Sequence, residues 1–266
     1  MKRMSNLLLA VSASFFVVSC QKNVELEADQ STIISEEVLA KISALGFSTT
    51  DVKVHEDGFL VEEDVVLTNE MLNSSPERKE LRIAEVEQYR TNNLVTGLPR
   101  TIRVSLSGSR ITQRLIDGVN GAIARYNAEG LGLTFTYAGT SGGGDINIKV
   151  VNTGQYIASA GFPSGGNPYG TISYARTYTN YSLGFVTTVV AHEMGHCIGF
   201  RHTDYMSRQY SCGGSAYNEG ASNVGAVHIP GTPTGPDAAS WMLACLSATT
   251  DRPFNANDKV ALDYLY

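Results

Sequence analysis

Three histidines and one glutamate lie within the eleven residues from His192 to His202, in the pattern H-E-x-x-H-x-x-G-x-x-H. On an α-helix, residues four apart lie about 40° apart around the axis and about 6 Å along it. His192 and His196 therefore project from one face and can bind a single metal ion. Gly199 can adopt a backbone conformation that ends the helix and turns the chain, so that His202 returns as a third ligand.

This set of residue types predicts zinc-dependent hydrolysis. Three neutral imidazoles on tetrahedral Zn²⁺ leave a fourth position for water, which is typical of a catalytic rather than a structural site. Glu193, next to the first ligand, can reach that water as a general base. The alternative is a buried helix whose histidines are merely hydrogen-bonded. It is disfavoured because three of the chain's five histidines fall inside the motif.

The elements around the motif predict a mixed α/β domain. Residues 183–198 form an apolar run without proline, long enough for a core helix. Upstream patterns predict one helix and four strands, namely helix 111–126 and strands 101–107, 133–137, 146–151 and 170–174. The first β-α-β order favours a twisted, mostly parallel sheet with helices packed on it. The glycine-rich stretch 158–169 is expected to be an edge strand with a loop that can pair with extended substrate.

Charge is distributed unevenly and divides the chain into regions. The 266 residues are 42% hydrophobic and 17% charged, with a net charge of −6. Residues 21–99 hold 7 Lys/Arg against 16 Asp/Glu, a net −9, whereas residues 100–266 hold 11 against 10, a net +1. We therefore expect an acidic prosegment over 21–99 and a catalytic domain over 100–266. Neither region is basic enough to indicate a nucleic-acid partner.

The N-terminus has the features of an export signal over residues 1–20. Lys2 and Arg3 precede an apolar run that is too short to span a bilayer. The run ends in Val17–Val18–Ser19–Cys20, which resembles a bacterial lipobox, so Cys20 is expected to carry a lipid anchor. Ordinary signal cleavage is the alternative. The protein is thus expected either to be a lipoprotein of the cell envelope (outer membrane) or to be secreted.

The acidic region has the patterning of a small folded prosegment. A helix is predicted over 36–45, a hairpin over 52–67 around Asp57–Gly58, and a charged helix over 77–89. Residues 91–99 form a polar connection and are the expected place for a maturation cut. The alternative is a permanent acidic accessory domain. After the motif, residues 204–240 are expected to be irregular and residues 257–264 helical.

The long motif, together with Met242 in the sequence Ser240–Trp241–Met242, resembles the metzincin clan of zinc endopeptidases. The resemblance covers residues 100–266 and implies a zincin fold, an active-site helix, a methionine-containing turn beneath the metal, and protein or peptide substrates. More narrowly, residues 191–204 resemble the bacterial dual-action HEIGH metallopeptidases, although Met194 stands where that family's name has Ile. This departure changes packing and leaves the ligands untouched.

Two further departures concern the metzincin subgroups. Thr203 follows the third histidine, where astacins have Glu and serralysins have Pro. Ala244 stands where astacins carry a tyrosine after the turn methionine, so no tyrosine partner for the oxyanion is carried over. Tyr205, Tyr210 and Arg201 remain open as candidates for that role.

The stretch Val61–Glu62–Glu63–Asp64 resembles the F-E-G-D segment of astacin prosegments. The resemblance implies that Asp64 occupies the open zinc position and keeps the precursor latent. A solvated acidic run is the alternative. Residues 21–99 contain no cysteine, so a thiolate supplied by the prosegment is excluded.

Three cysteines follow Cys20, and in an exported protein two of them can pair. We favour Cys212–Cys245, since Cys197 lies on the predicted zinc helix, where it is expected to be a small buried hydrophobe rather than a ligand. Asp204 is left with three roles: histidine partner, rival ligand or loop acid. His55 and His228 are expected to be ordinary histidines. The competing function is a non-hydrolytic, zinc-stabilised adhesion or binding module, against which Glu193 argues.

Overall fold

The computed structural model describes residues 34–45, 47–73, 88–215, 218–219, 225–233 and 235–266. These residues belong to one compact unit, Ile34–Tyr266. The export signal with Cys20 and nearly all of the helix predicted over 77–89 lie outside the described residues. Among the residues described there is no helix with the length and apolar character needed to span a bilayer.

Six α-helices, one 3-10 helix (Arg176–Tyr178) and ten strands occur in the described residues. The helices are α1 (Glu36–Ala44), α2 (Asn69–Asn73), α3 (Gln113–Asn127), α4 (Leu183–Ile198), α5 (Gln209–Cys212) and α6 (Ala256–Leu265). The strands are β1 (Lys53–His55), β2 (Gly58–Val61), β3 (Val65–Thr68), β4 (Tyr89–Arg90), β5 (Arg100–Gly108), β6 (Leu133–Tyr137), β7 (Ile146–Val151), β8 (Ala158–Ser159), β9 (Thr171–Ala175) and β10 (Val227–His228).

The main sheet has five strands in the order β6-β5-β7-β9-β8. All neighbouring pairs are parallel except β8 with β9, where the short edge strand runs antiparallel. The prediction of a mixed α/β fold with a mostly parallel sheet is confirmed. β5, β7 and β9 lie where the alternating patterns predicted strands, and β8 is the expected edge strand.

Helices α3 and α4 pack against each other and against the sheet. Thr112 caps α3, since its hydroxyl accepts a hydrogen bond from Leu115 N at 3.1 Å. The two helices approach closely at Gly118, where a Cβ would lie 2.4 Å from Val186 Cγ1. Helix α4 is buried from Phe185 to Ile198, which explains why its sequence is apolar on every side. A polar motif placed on such a helix lies inside the protein.

Helix α4 ends at Ile198, just before Gly199, as the motif predicted. Gly199 has φ 113°, in the left-handed region, and its amide donates to Gly195 O and His196 O. A Cβ at Gly199 would lie 2.8 Å from Asn93 O, so the position accepts only glycine. Gly195 serves the packing beneath the helix, because a Cβ there would lie 2.6 Å from Met242 Sδ. The Met242 turn therefore lies directly against the motif-bearing helix.

The acidic region forms a small layer with its own core. β1, β2 and β3 make an antiparallel sheet, as the hairpin pattern predicted, and α1 is present as expected. The turn was predicted at Asp57–Gly58 but lies at Glu56–Asp57, because Gly58 is the first residue of β2 and pairs with His55. Ile42, Val61 and Leu67 are buried in this core, and Phe162 packs into it from the edge region of the main sheet. The two layers are also joined by backbone hydrogen bonds, from Val66 N to Ala160 O at 2.7 Å and from Ala160 N to Asp64 O at 2.9 Å.

Residues 88–95 pack against the part of the chain that carries the histidine motif. The helix predicted over 77–89 does not reach Tyr89, which lies in β4 and pairs with β10. Tertiary contacts decide this conformation. Arg201 N donates to Tyr89 O at 2.9 Å, and the fully buried Tyr89 ring lies 4.3 Å from the Tyr205 ring. The amide of Thr91 also donates to Gly199 O at 2.8 Å.

The segment after the motif is largely irregular, as predicted, and carries one disulfide. Cys212 and Cys245 are bonded, with an S–S distance of 2.14 Å, so the favoured pairing is confirmed. Cys197 is a free, buried thiol on α4. Helix α6 begins at Ala256, and the preceding Asn255 caps it in a reciprocal arrangement with Asp258.

Candidate active site and metal centre

The three motif histidines and Asp64 converge at one point. Each can offer one ligand atom, and these atoms all lie within 4.8 Å of one another. His192 and His196 come from one face of α4, and His202 comes from the chain after the Gly199 turn. Asp64 comes from the acidic region, at the end of the loop between β2 and β3. One carboxylate and three imidazoles therefore share a buried centre.

Each imidazole is oriented by a hydrogen bond from its Nδ1 atom. His192 Nδ1 donates to Trp241 O at 2.9 Å, and His196 Nδ1 donates to Phe200 O at 2.8 Å. His202 Nδ1 donates to Glu219 Oε1 at 2.8 Å. With Nδ1 protonated, every neutral ring presents the lone pair of Nε2 to the centre.

The Nε2 lone pairs that face the centre are suited to binding a metal cation. His196 Nε2 and His202 Nε2 lie 3.2 Å apart, a separation at which two lone pairs need a proton or a metal cation between them. His192 Nε2 is buried and has no hydrogen-bond partner among the described residues. A cation between the three nitrogens would satisfy all of them, and three imidazole donors with a carboxylate suit Zn²⁺. The arrangement therefore fits a bound zinc ion.

The charges at the centre act in opposite directions on two of the histidines. Burial lowers the pKa of His196 well below its usual range, and the charges of His192 and His202 lower it further. Burial also disfavours the charged form of His202, but the carboxylates of Asp64 and Glu219 outweigh this and raise its pKa well above the usual range. Acidic groups thus make the His202 side of the centre favourable for positive charge.

Asp64 lies close to the histidine nitrogens and within hydrogen-bonding distance of His202. Its Oδ2 is 3.1 Å from His202 Nε2 and 3.6 Å from His192 Nε2. Its side chain is 13% exposed, and Oδ1 has no hydrogen-bond partner among the described residues. Burial opposes its charge, but the neighbouring histidines outweigh burial and hold its pKa well below the usual range. Asp64 is therefore an anion whose Oδ2 lies against the histidine nitrogens.

Glu193 lies beside the same centre. It lines a cavity of about 280 Å³ that is also lined by Asp64, His192 and Tyr178. Its Oε2 is buried without a hydrogen-bond partner in the described part of the chain. Burial raises its pKa well above the usual range, and the Asp64 carboxylate raises it further. A dication bound nearby would act in the opposite direction and favour the carboxylate.

The other sequence candidates have different surroundings. Asp204 accepts hydrogen bonds from Ser211 and from Ala244 N, so it is a loop-holding acid and not a ligand or a histidine partner. Tyr205, Tyr210 and Arg201, proposed for the oxyanion, do not line the cavity beside Glu193. His55 and His228 stand outside the cluster of ligand atoms.

Glu219 is the functional residue that sequence reasoning missed. It is buried, its amide donates to Tyr205 O at 2.7 Å, and its carboxylate accepts from His202 and lies 3.2 Å from Arg208 Nε. It follows His202 by 17 residues, inside an irregular segment, and no local motif surrounds it. Only the fold brings it to the third histidine.

This fold and site define a zinc metallopeptidase. The sequence pattern of the family described as dual-action HEIGH metallo-peptidase matches residues 59–266, and the chain belongs to that family. The matched region includes Asp64 as well as the three histidines. Zn²⁺ is the metal that the family implies, in agreement with the cluster of His and Asp ligand atoms.

Comparison with individual proteins adds little beyond the family. No curated protein matches the chain. Two solved structures of myroilysin are similar to it. One has 15% identity, covers 65% of this chain and 82% of its own, and has a TM-score of 0.42. The other has 16% identity, covers 63% and 83%, and has a TM-score of 0.39.

Replacing Glu219 should weaken zinc binding. We expect Glu219→Ala to lower zinc affinity by about 10–100-fold, because the residue that orients His202 and favours its donation of Nδ1–H is lost. Competition with a chromogenic chelator measures the affinity. Glu129→Ala, which removes an ion pair between Glu129 and Lys259, is the matched control and should bind zinc as the unmodified chain does. Equal affinities for the two variants would contradict this role of Glu219.

Proposed function

We propose that this protein is an exported zinc endopeptidase that is made as a latent precursor. In the proposed enzyme, His192, His196 and His202 hold zinc, Glu193 is the general base, and Asp64 blocks the open position until the acidic region is removed. The observation that carries the proposal is the convergence of four ligand atoms within 4.8 Å, with Glu193 lining the adjoining cavity.

The proposed chemistry divides between the metal and Glu193. Zn²⁺, when bound, supplies a Lewis acid for the scissile carbonyl and lowers the pKa of a bound water from 15.7 toward about 7. Glu193 accepts the proton of the attacking water at a carboxylate oxygen and later gives it to the leaving amine nitrogen. Its buried position supports this role, because burial favours the protonated form that must persist between the two transfers.

The competing adhesion or binding module does not account for Glu193. A structural zinc site is closed by four protein ligands and needs no base beside it. Here a buried carboxylate adjoins a cavity large enough for a substrate side chain, and its Oε2 has no hydrogen-bond partner in the described residues. Such an uncompensated acid is costly for stability and is typical of a catalytic position.

Replacing the general base tests the enzyme directly. We expect Glu193→Gln to retain zinc and to lose peptide hydrolysis by about 10²–10⁴-fold, since the amide cannot accept the proton. Casein cleavage by the processed protein and its zinc content are measured together. Glu129→Gln, at a glutamate of the same protein that lies outside the ligand cluster, is the control. Undiminished cleavage by zinc-loaded Glu193→Gln protein would refute the assigned role.

The contacts of the loop between β2 and β3, which carries Asp64, support the proposal that the precursor is latent. Asp64 approaches the histidines from a loop in which Glu62 and Glu63 both have positive φ, 53° and 69°. Left-handed backbone costs a non-glycine residue about 1–2 kcal/mol. The compensating contacts are an ion pair from Arg201 to Glu62 at 3.4 Å and a hydrogen bond from Arg208 Nη1 to Glu62 O at 2.9 Å. The loop is therefore held in a conformation that aims the Asp64 carboxylate at the ligand atoms.

Removing this carboxylate should activate the uncut chain. We expect the full-length Asp64→Ala protein to cleave a quenched fluorescent peptide, whereas the unmodified precursor does not. Mass spectrometry after the assay shows whether the chain remained uncut. Asp51→Ala, which alters an exposed acid of the same layer, is the matched control and should stay latent. A silent Asp64→Ala precursor that becomes active after processing would exclude the aspartate block.

The contacts of residues 88–95 support a maturation cut upstream of Gln88. Ile229 N donates to Gln88 O at 3.0 Å, the Gln88 side chain is bonded to buried Asp258, and Tyr89 is fully buried. A cut within 91–99, as the sequence suggested, would detach these residues from the metal-bearing part. A cut between Asp64 and Gln88 releases the blocking carboxylate and keeps them.

N-terminal sequencing of the mature enzyme locates the cut. We expect the mature N-terminus at or before Gln88, because β4 is needed to fix the chain around Arg201. A mature, active form that begins within 91–99 would show that β4 is dispensable and would restore the later boundary.

Export and anchoring through Cys20 complete the proposal. The disulfide between Cys212 and Cys245 supports it, because such bonds persist in oxidising compartments outside the cytoplasm. The lipobox-like sequence before Cys20 supports attachment to the cell envelope, with secretion after ordinary signal cleavage as the alternative.

A further inference from the structure

We infer that Arg208, with Arg201 beside it, forms a subsite that binds an acidic side chain of the substrate close to the scissile bond. This inference rests on the proposed peptidase function and deepens it by naming a substrate class. The observations that carry it are the contacts that the acidic loop makes in the latent form.

Arg208 is a buried cation that the acidic loop completes. Its side chain is only 6% exposed, and its Nη2 lies 3.5 Å from Glu63 Oε2. Its Nη1 donates to Glu62 O at 2.9 Å. Its Nε and Nη2 are buried and make no hydrogen bond of good geometry in the described residues. A guanidinium that has left bulk water needs anionic or carbonyl partners, and the loop supplies two of them.

Arg201 is covered by the same acidic region. It is 1% exposed, and its Nη2 lies 3.4 Å from Glu62 Oε2. Its guanidinium also lies over the Phe47 ring, 5.1 Å from the centroid. Glu62, Glu63 and Phe47 all leave when the region upstream of Gln88 is removed. Removal therefore withdraws carboxylates from both arginines at once.

The acid that remains after removal of the acidic region is Glu219, and it already has partners. It accepts from His202 Nδ1 at 2.8 Å and also lies 3.2 Å from Arg208 Nε and 3.9 Å from Arg201 Nη2. Two guanidinium groups and an imidazole share this one carboxylate. Burial and the charge of Glu219 raise the pKa of Glu62 well above its usual range. The second anion is therefore expected beside Arg208 Nη2, where the Glu63 side chain is 62% exposed. A planar guanidinium binds carboxylate oxygens with strong geometric preference, which favours Asp or Glu over neutral side chains.

The position of this subsite follows from the sequence of the loop. Asp64 lies at the ligand atoms, and Glu62 and Glu63 immediately precede it. Glu63 lines the same cavity as His192 and Glu193. An acidic side chain bound where Glu62 or Glu63 now lies would thus belong to a residue within one or two positions of the bond that is cut.

Cleavage of matched peptides tests the subsite. Full-length protein carrying a site-specific protease sequence inserted after Asn73 is folded, cut and freed of the N-terminal piece, so the remaining domain never has to fold alone. Peptide pairs then differ by Glu or Gln at one position on either side of the cleaved bond. We expect kcat/KM for Glu to exceed that for Gln by about 10-fold or more at one position, as a charge-assisted hydrogen bond provides.

The Arg208→Gln variant should bring this Glu-to-Gln ratio close to one, and Arg208→Lys should keep part of it. The ratio is independent of any general loss of activity, so it separates recognition from folding. Arg114→Gln, at an exposed position of α3, is the control and should keep the full ratio. Zinc content is determined for each variant. No Glu preference in the unmodified enzyme, or an unchanged preference in Arg208→Gln, would overturn the inference.

A binding measurement keeps the test separate from peptidase activity. A fluorescent peptide with the sequence of residues 58–68 is titrated against processed protein carrying Glu193→Gln. Replacing Glu62 and Glu63 of the peptide by Gln should weaken binding by about 10-fold with Arg208 present and have little effect with Arg208→Gln. Peptide binding that depends on this pair without cleavage of any substrate would refute the peptidase and uphold the subsite. Cleavage without Glu preference would do the reverse.

Discussion

Three imidazole nitrogens are brought face to face inside the protein, and much of the structure exists to hold them there. Two neutral acceptors 3.2 Å apart repel each other until a cation or a proton comes between them. The fold resists this repulsion with one Nδ1 hydrogen bond for each ring, to Trp241 O, Phe200 O and Glu219. The three acceptors come from three different segments of the chain. The orientation of the histidines therefore depends on all three segments being folded together.

The part of this arrangement that depends on local periodicity could be predicted from the sequence. The spacing of His192 and His196 on an apolar run predicted helix α4. The observed helix, Leu183–Ile198, has the predicted bounds. Gly199 was predicted to turn the chain, and its left-handed φ and the nearby Asn93 carbonyl show why no other residue serves. The β-α-β order likewise predicted the parallel sheet, because a crossover helix between strands leaves few other topologies.

Contacts between residues far apart in the sequence could not be predicted from local patterns. Nothing near Glu219 in the sequence indicates that it contacts His202, since their proximity depends on an irregular segment. Tyr89 was expected to end a helix, yet its pairing with β10 and its burial against Tyr205 override the local preference. Asp64 was singled out only through resemblance to another family's prosegment. Its approach to within 3.1 Å of His202 depends on the edge hydrogen bonds at Ala160, which no pattern in the sequence specifies.

The disulfide between Cys212 and Cys245 has a consequence for the timing of assembly. Asp204 ties the same two segments together, through Ser211 on one side and Ala244 on the other, and Ala244 and Cys245 line the cavity beside Glu193. In a reducing compartment this wall of the cavity would be held by hydrogen bonds alone, whereas oxidation fixes it covalently. The environment that the chain reaches would then complete its catalytic cavity. In the proposed exported precursor, two separate events would therefore complete the site, namely formation of the Cys212–Cys245 bond and removal of the Asp64 carboxylate.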